Sequence, residues 1–116
     1  MNVPFSVHSA PAQLTVTSIR RGDTMVVAPV GEVDSATTPA LEEALRAVRE
    51  PVLVDLSSVE FLSCAGIRAL LVAYERMPSL TVFLGSAPGV RRCVELSGAA
   101  DLLPVRESLD RTMLTP

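Results

Sequence analysis

Cys64 is the one nucleophile in the sequence whose surroundings could activate it, because it follows Ser63 where an apolar run gives way to a helical pattern. A thiol at a helix N-terminus ionises more readily than a free one, which is the property a peroxidase or a redox sensor needs. Such a thiolate usually has Arg, Lys or His beside it, and here the nearest basic residue is Arg68, one helical turn on. The single His, His8, is far from this junction in the sequence and offers it no general base. No stretch has the Gly-rich spacing of a phosphate-binding loop. Two cysteines, Cys64 and Cys93, are too few for a disulfide framework and lack the spacing of a metal site, and one His without a cysteine pair near it excludes zinc. The expectation is a chain with no catalytic residue, no metal and no cofactor. Cys64 is then either a regulatory thiol or an inert buried cysteine, and a thiol redox enzyme is the remoter alternative.

The same junction has a second chemistry open to it. It runs Asp55-Leu56-Ser57-Ser58-Val59-Glu60-Phe61-Leu62-Ser63-Cys64-Ala65-Gly66-Ile67, and the run Val52 to Leu56, headed by Pro51, is nearly all apolar, as in a strand covered on both faces. Ile67, Leu70, Leu71 and Tyr74 then recur at i, i+3, i+4 and i+7, one apolar stripe of a helix. Ser63 falls where an N-cap hydroxyl accepts from the first free N–H groups. A helix start of this kind gathers unpaired donors and partial positive charge, so it favours anions, phosphorylated side chains or a thiolate. Cys64, Ala65 and Gly66 are small enough to let a partner's backbone come close. An ordinary capped turn, whose small residues only permit tight packing, accounts for the same pattern.

The elements that must position this junction form a βα succession. Leu14 to Arg20 alternates apolar and polar residues like a half-buried edge strand, and Gly22-Asp23 turns it into the apolar run Met25 to Val30. Pro29 lacks a ladder donor and fits the end of that strand or a bulge. After Gly31 comes the acidic loop Glu32-Val33-Asp34, then a helix introduced by Thr37-Thr38-Pro39, with Leu41, Ala44, Leu45 and Val48 as its core stripe. Pro78 stops the central helix, and Leu80 to Gly85 is another short strand. Pro88-Gly89 opens a further helix, with Val90, Cys93, Val94 and Ser97 on one face and Gly98 as its cap. Leu102 to Val105 is a short extended piece, and Ser108 to Leu114 forms a last helical turn or two. Residues 1–13, which contain His8, read as a partly ordered lead-in, leaving 14–116 as one domain.

The fold class expected is therefore α/β, a mixed, mostly parallel sheet with an antiparallel edge strand and about four helices. In such a sheet the loops Glu32 to Asp34 and Phe61 to Gly66 are neighbours on one rim, at the strand carboxyl ends where binding sites form. At 116 residues there is room for one core only, and with 3% aromatics that core is aliphatic. A net charge of −3 argues against nucleic-acid binding, since Arg20-Arg21 and Arg91-Arg92 are pairs rather than a basic face. No apolar run has the length of a membrane span and the N-terminus lacks a signal-peptide pattern, so no membrane insertion and a cytoplasmic home are expected. There both thiols should be free.

Asp55-Leu56, Val59 and Phe61-Leu62-Ser63-Cys64-Ala65-Gly66-Ile67 together resemble the signature of STAS-domain proteins of the anti-sigma factor antagonist family. Gly31-Glu32-Val33-Asp34, Ala87-Pro88-Gly89-Val90-Arg91-Arg92 and Leu96-Ser97-Gly98 resemble further pieces of that family in the same order, so the match covers roughly Leu14 to Leu114. The resemblance implies an anti-sigma factor with a kinase-type ATP fold as partner, and release of a sigma factor for transcription. It also implies a partner-binding surface on Glu32, Asp34, Ser63, Cys64, Ala65 and Gly66. The family's switch is a phosphorylated serine, whose charge near acids would break the interface. Aligned on Gly66, the phosphoacceptor position is Cys64 and the preceding Asp position is Ser63, so the acceptor hydroxyl is missing. The same domain is similar to adaptor subunits of lipid-transport and sensory assemblies, which is the alternative reading. A homo-oligomer is compatible with the sequence but not predicted.

Overall fold

A computed structural model of the chain describes residues 5–10 and 13–107. Seven strands, β1 (Phe5–Ala10), β2 (Leu14–Arg21), β3 (Thr24–Val33), β4 (Val52–Asp55), β5 (Val59–Leu62), β6 (Thr81–Phe83) and β7 (Val105–Arg106), form one sheet. Its order is β1-β2-β3-β4-β6-β7, with β5 set against β3. β1, β2 and β3 pair antiparallel, whereas β3–β4, β3–β5, β4–β6 and β6–β7 are parallel. Among the described residues three α-helices, α1 (Thr38–Ala47), α2 (Cys64–Arg76) and α3 (Pro88–Leu96), supply the crossovers, and a 3-10 turn over Ala99–Asp101 follows α3. This is the mixed, mostly parallel α/β sheet expected from periodicity. The helical turns expected over Ser108 to Leu114 lie outside the described residues.

Pattern explains the packing. Val27, Val54 and Val82 stand in register across β3, β4 and β6, and each is fully buried. They join Leu41 and Leu45 of α1, Leu70 of α2, and Val90 and Val94 of α3 in one cluster. Full burial of such a side chain stabilises by about 1.5–3 kcal/mol, so the aliphatic core needs no aromatic ring. Gly98, at φ 82°, ends α3 in the left-handed conformation that a helix C-terminus favours.

Several local expectations change. Phe5–Ala10, within the segment read as a lead-in, pairs with β2 over its whole length, so Leu14–Arg21 is an interior strand rather than the edge. The rest of residues 1–13, Gln13 apart, lies outside the described residues. Pro29 lies inside β3 rather than at its end. The N–H groups of Met25 and Gly31, on the same side of the strand as position 29, donate to Pro51 and Ser58 carbonyls. Between them β3 leaves β4 and has not yet met β5, so a residue without an N–H loses no ladder bond there. β4 and β5 thus follow one another along β3, separated by Leu56, Ser57 and Ser58.

Candidate functional site

The rim is built where β3 takes β5 as its neighbour. Glu32 pairs with Phe61 and Val33 with Leu62, across a register shift at Gly31/Glu32. Gly31 has φ 119°, and a Cβ there would run into the Gln13 carbonyl oxygen, which accepts from Glu32 N at 3.0 Å. The two segments expected to be loops are therefore mostly strand and helix. Glu32 and Val33 end β3, Phe61 and Leu62 end β5, and Cys64 already starts α2. They are neighbours, as expected, because the sheet pairs them directly.

Asp34 forms the turn into α1. Its Oδ1 accepts from Ala36 N at 2.9 Å and Thr37 N at 3.0 Å. Thr37 Oγ1 accepts from Asp34 N at 2.9 Å and donates to the Glu32 carbonyl at 2.8 Å. A half-buried carboxylate held this way sets the helix start and leaves Glu32 as the exposed acid of the pair.

Ser63 joins β5 to α2. Its N–H donates to the Val33 carbonyl at 2.8 Å, and its Oγ accepts from Gly66 N at 3.4 Å, the N-cap expected from sequence. Cys64 is exposed, Ala65 half-exposed and Gly66 buried. A Cβ on Gly66 would lie 2.6 Å from Val33 Cγ1 and 2.7 Å from Leu62 Cδ1, so this glycine lets α2 seat directly on the ends of β3 and β5. Of the six residues singled out in the sequence, five thus reach the surface of one rim, and Gly66 sets the approach beneath them.

Phe61, expected on the rim but not among the six partner-binding residues, lies on the same surface. It is 52% exposed, opposite Glu32 on the neighbouring strand. Its signal was present in the alternation: next to Leu62, which is buried, Phe61 must face outward. The rim therefore combines an exposed ring, an exposed thiol, small side chains and acids, with Arg68 exposed one turn along α2. Such a surface can bury apolar area against a partner and reject added negative charge. Burial pushes the Cys93 thiol up, and a charge on Cys64 pushes it the same way. Among the described residues no group of three or more His, Cys, Asp or Glu could hold a metal, and no helix is long and apolar enough to cross a membrane.

Comparison with known proteins agrees with this architecture. Residues 16–104 match the family model described as Mlab, STAS domain. The chain is 35% identical over 96 residues to the anti-sigma-F factor antagonist RsfB of Mycobacterium tuberculosis, covering 78% of this chain and 79% of that protein. A crystal structure of an anti-sigma factor antagonist from Mycobacterium paratuberculosis superposes with a TM-score of 0.78 at 33% identity, over 91% of this chain and 96% of that one. The anti-sigma factor antagonist SpoIIAA in its unphosphorylated form shares the fold, with a TM-score of 0.65 at 13% identity over 95% and 92% of the two chains.

Proposed function

The chain belongs to the STAS-domain family of anti-sigma factor antagonists, and from that premise we propose that it binds an anti-sigma factor and so frees a sigma factor for transcription. The observation that carries this reading is the identity to RsfB, itself named an antagonist of an anti-sigma-F factor. Binding runs through the rim: Phe61 and Ala65 bury apolar area, Cys64 lets the partner backbone come close, and Glu32 and Asp34 contribute charge at the border. Ser63 and Gly66 hold the first turn of α2 in place beneath that surface. The reading assigns no catalytic residue and no cofactor, and it puts the protein in the cytoplasm, where sigma factors act.

Because Cys64 occupies the phosphoacceptor position, the antagonist acts without the family's serine switch and is controlled by its amount or by thiol chemistry. The same missing hydroxyl favours a second reading, a phosphorylation-independent adaptor subunit of a lipid-transport or sensory assembly. The discriminating experiment introduces Glu at Ala65 and measures binding to the cognate anti-sigma factor by calorimetry. Ala65→Glu should abolish binding while circular dichroism remains that of the folded chain. Wild-type affinity in a folded Ala65→Glu protein would exclude the rim as the interface. Co-purification of wild type with a transporter or sensor subunit instead of an anti-sigma factor would favour the second reading.

A further inference from the structure

The two edges of the sheet are built differently. One is β7, two residues long and carrying Arg106. The other is β1, six residues long, which pairs with β2 from Phe5↔Ile19 to Ala10↔Leu14 without a bulge. Among the described residues no strand lies on its outer side. Edge strands are ordinarily protected by shortness, charge, proline or a bulge, because their free N–H and C=O groups template pairing with another chain. β7 has the first two protections. β1 has none of them, since Phe5-Ser6-Val7-His8-Ser9-Ala10 holds no Lys, Arg, Asp, Glu or Pro, and Val7 is 49% exposed.

The backbone alternation identifies the free groups. In β3 the N–H groups of Met25 and Gly31 donate to Pro51 and Ser58 on the side of β4 and β5, whereas Glu32 N donates to the Gln13 carbonyl on the side of β2. The even-numbered residues of β3 therefore face β2. They pair there with odd-numbered residues, Val26 with Ile19 and Ala28 with Thr17, so the even-numbered Val16 and Ser18 face β1. Their partners are His8 and Ser6, which leaves the N–H and C=O groups of Phe5, Val7 and Ser9 directed outward.

We propose that β1 is a dimerisation edge, to which a second copy of this chain adds its own β1 antiparallel about a two-fold axis at Val7. In this register Val7 pairs with Val7 of the second copy and Phe5 with Ser9 of the second copy. All are outward-facing residues, and each pair exchanges N–H···O bonds in both directions. A second copy is the fitting occupant because two identical antiparallel strands are self-complementary. The chain carries a net charge of −3, yet this strand holds no formal charge at pH 7 to repel its twin. β7 offers no comparable edge, so the addition closes at two copies rather than growing into a fibre. β1 and β3 run in the same direction, each being antiparallel to β2. The two-fold axis therefore points the two rims toward opposite ends of one continuous sheet and leaves both open. This consequence for binding rests on the proposed partner surface, whereas the dimer does not.

The test is sedimentation velocity on the full chain, in which wild type should form a dimer that dissociates on dilution. Val7→Pro removes an N–H that the single chain does not use, so it should raise the dimer dissociation constant about tenfold or more and leave the urea midpoint in place. His8→Pro removes one that bonds to β2 and should lower the midpoint. A midpoint lowered as far by Val7→Pro as by His8→Pro would overturn the assignment of the free groups. Val7→Cys should crosslink to itself under mild oxidation, because Cα atoms of such a pair lie about 5.5 Å apart, within reach of a disulfide. Ser9→Cys, which faces Phe5 of the second copy, should not, and peptide mapping separates these links from any at Cys64 or Cys93. Wild type that stays monomeric up to about 1 mM would overturn the proposal. So would a dimer that survives Val7→Pro and gives no crosslink at position 7. In a second arm, monomeric Val7→Pro should bind the cognate anti-sigma factor as tightly per chain as wild type does. Loss of that binding in a folded monomer would overturn the separation of edge from rim. A dimer crosslinked at position 7 that binds no anti-sigma factor would overturn the proposed function and leave the edge standing.

Discussion

Phosphoryl transfer to a side chain needs a hydroxyl held in line with the γ-phosphoryl group, and positioning supplies most of the catalysis. Position 64 offers sulfur, while the neighbouring hydroxyl of Ser63 is turned to Gly66 N as the cap of α2. Incubated with ATP and an anti-sigma factor of kinase type, the wild-type chain should therefore stay unphosphorylated. Cys64→Ser should become a substrate on the new hydroxyl, with Ser63 still serving as the cap. Mass spectrometry decides this, and stoichiometric phosphate on Ser63 of the wild type would contradict it. The Ser63 cap was legible in the sequence because capping is a local matter of residue type and spacing. Asp34 was legible as an acid of the rim but not as the residue that turns the chain into α1, because that role depends on where Thr37 lies in space.

At the level of elements, helices were easier to read than strands. α1, α2 and α3 each announce themselves by an apolar stripe within one segment, whereas β5 is four residues long and exists only because β3 pairs with it. β1 is hidden in the same way, since its partner β2 supplies the pairing that its own pattern does not. Gly66 shows how such non-local contacts are made. Gly→Ala in a helix ordinarily stabilises by about 0.5–1 kcal/mol. At Gly66, however, the new methyl group would overlap Val33 and Leu62, both buried, and overpacking typically costs about 1–3 kcal/mol. Gly66→Ala should therefore be destabilising by about 1–2 kcal/mol net. Gly89, on α3 with open space at its Cβ position, is the control, and Gly89→Ala should be neutral or mildly stabilising. Urea denaturation of the two variants separates the effects, and a Gly66→Ala protein as stable as Gly89→Ala would show that α2 is not seated on β3 and β5 in this way.

For the molecule as a whole, the fold class was open to sequence reading because alternation and helical stripes together allow few layered arrangements. The chain's total stability, by contrast, is a small difference between large terms, so one titrating group packed at the border of the core can move it visibly. Cys93 is such a group. It packs against the core from α3, and burial first, then the neighbouring Cys64, raises its thiol above the ordinary cysteine value. Folding thus favours the protonated thiol. Its contribution is fully present below the pKa of the unfolded chain and is lost as pH rises through the higher folded value. In the presence of reductant, the wild-type denaturation midpoint should hold through neutral pH and decline in the alkaline range, above an ordinary thiol value of about 8.5. Cys93→Ala removes the titrating group, so its midpoint should decline less over the same interval even though its stability at neutral pH is lower. Tyr74 and the arginines are common to both proteins, so they cancel from the difference. Parallel pH profiles for the two proteins would show that α3 does not hold Cys93 against the core, and with it the packing of α3 along β5 would have to be redrawn.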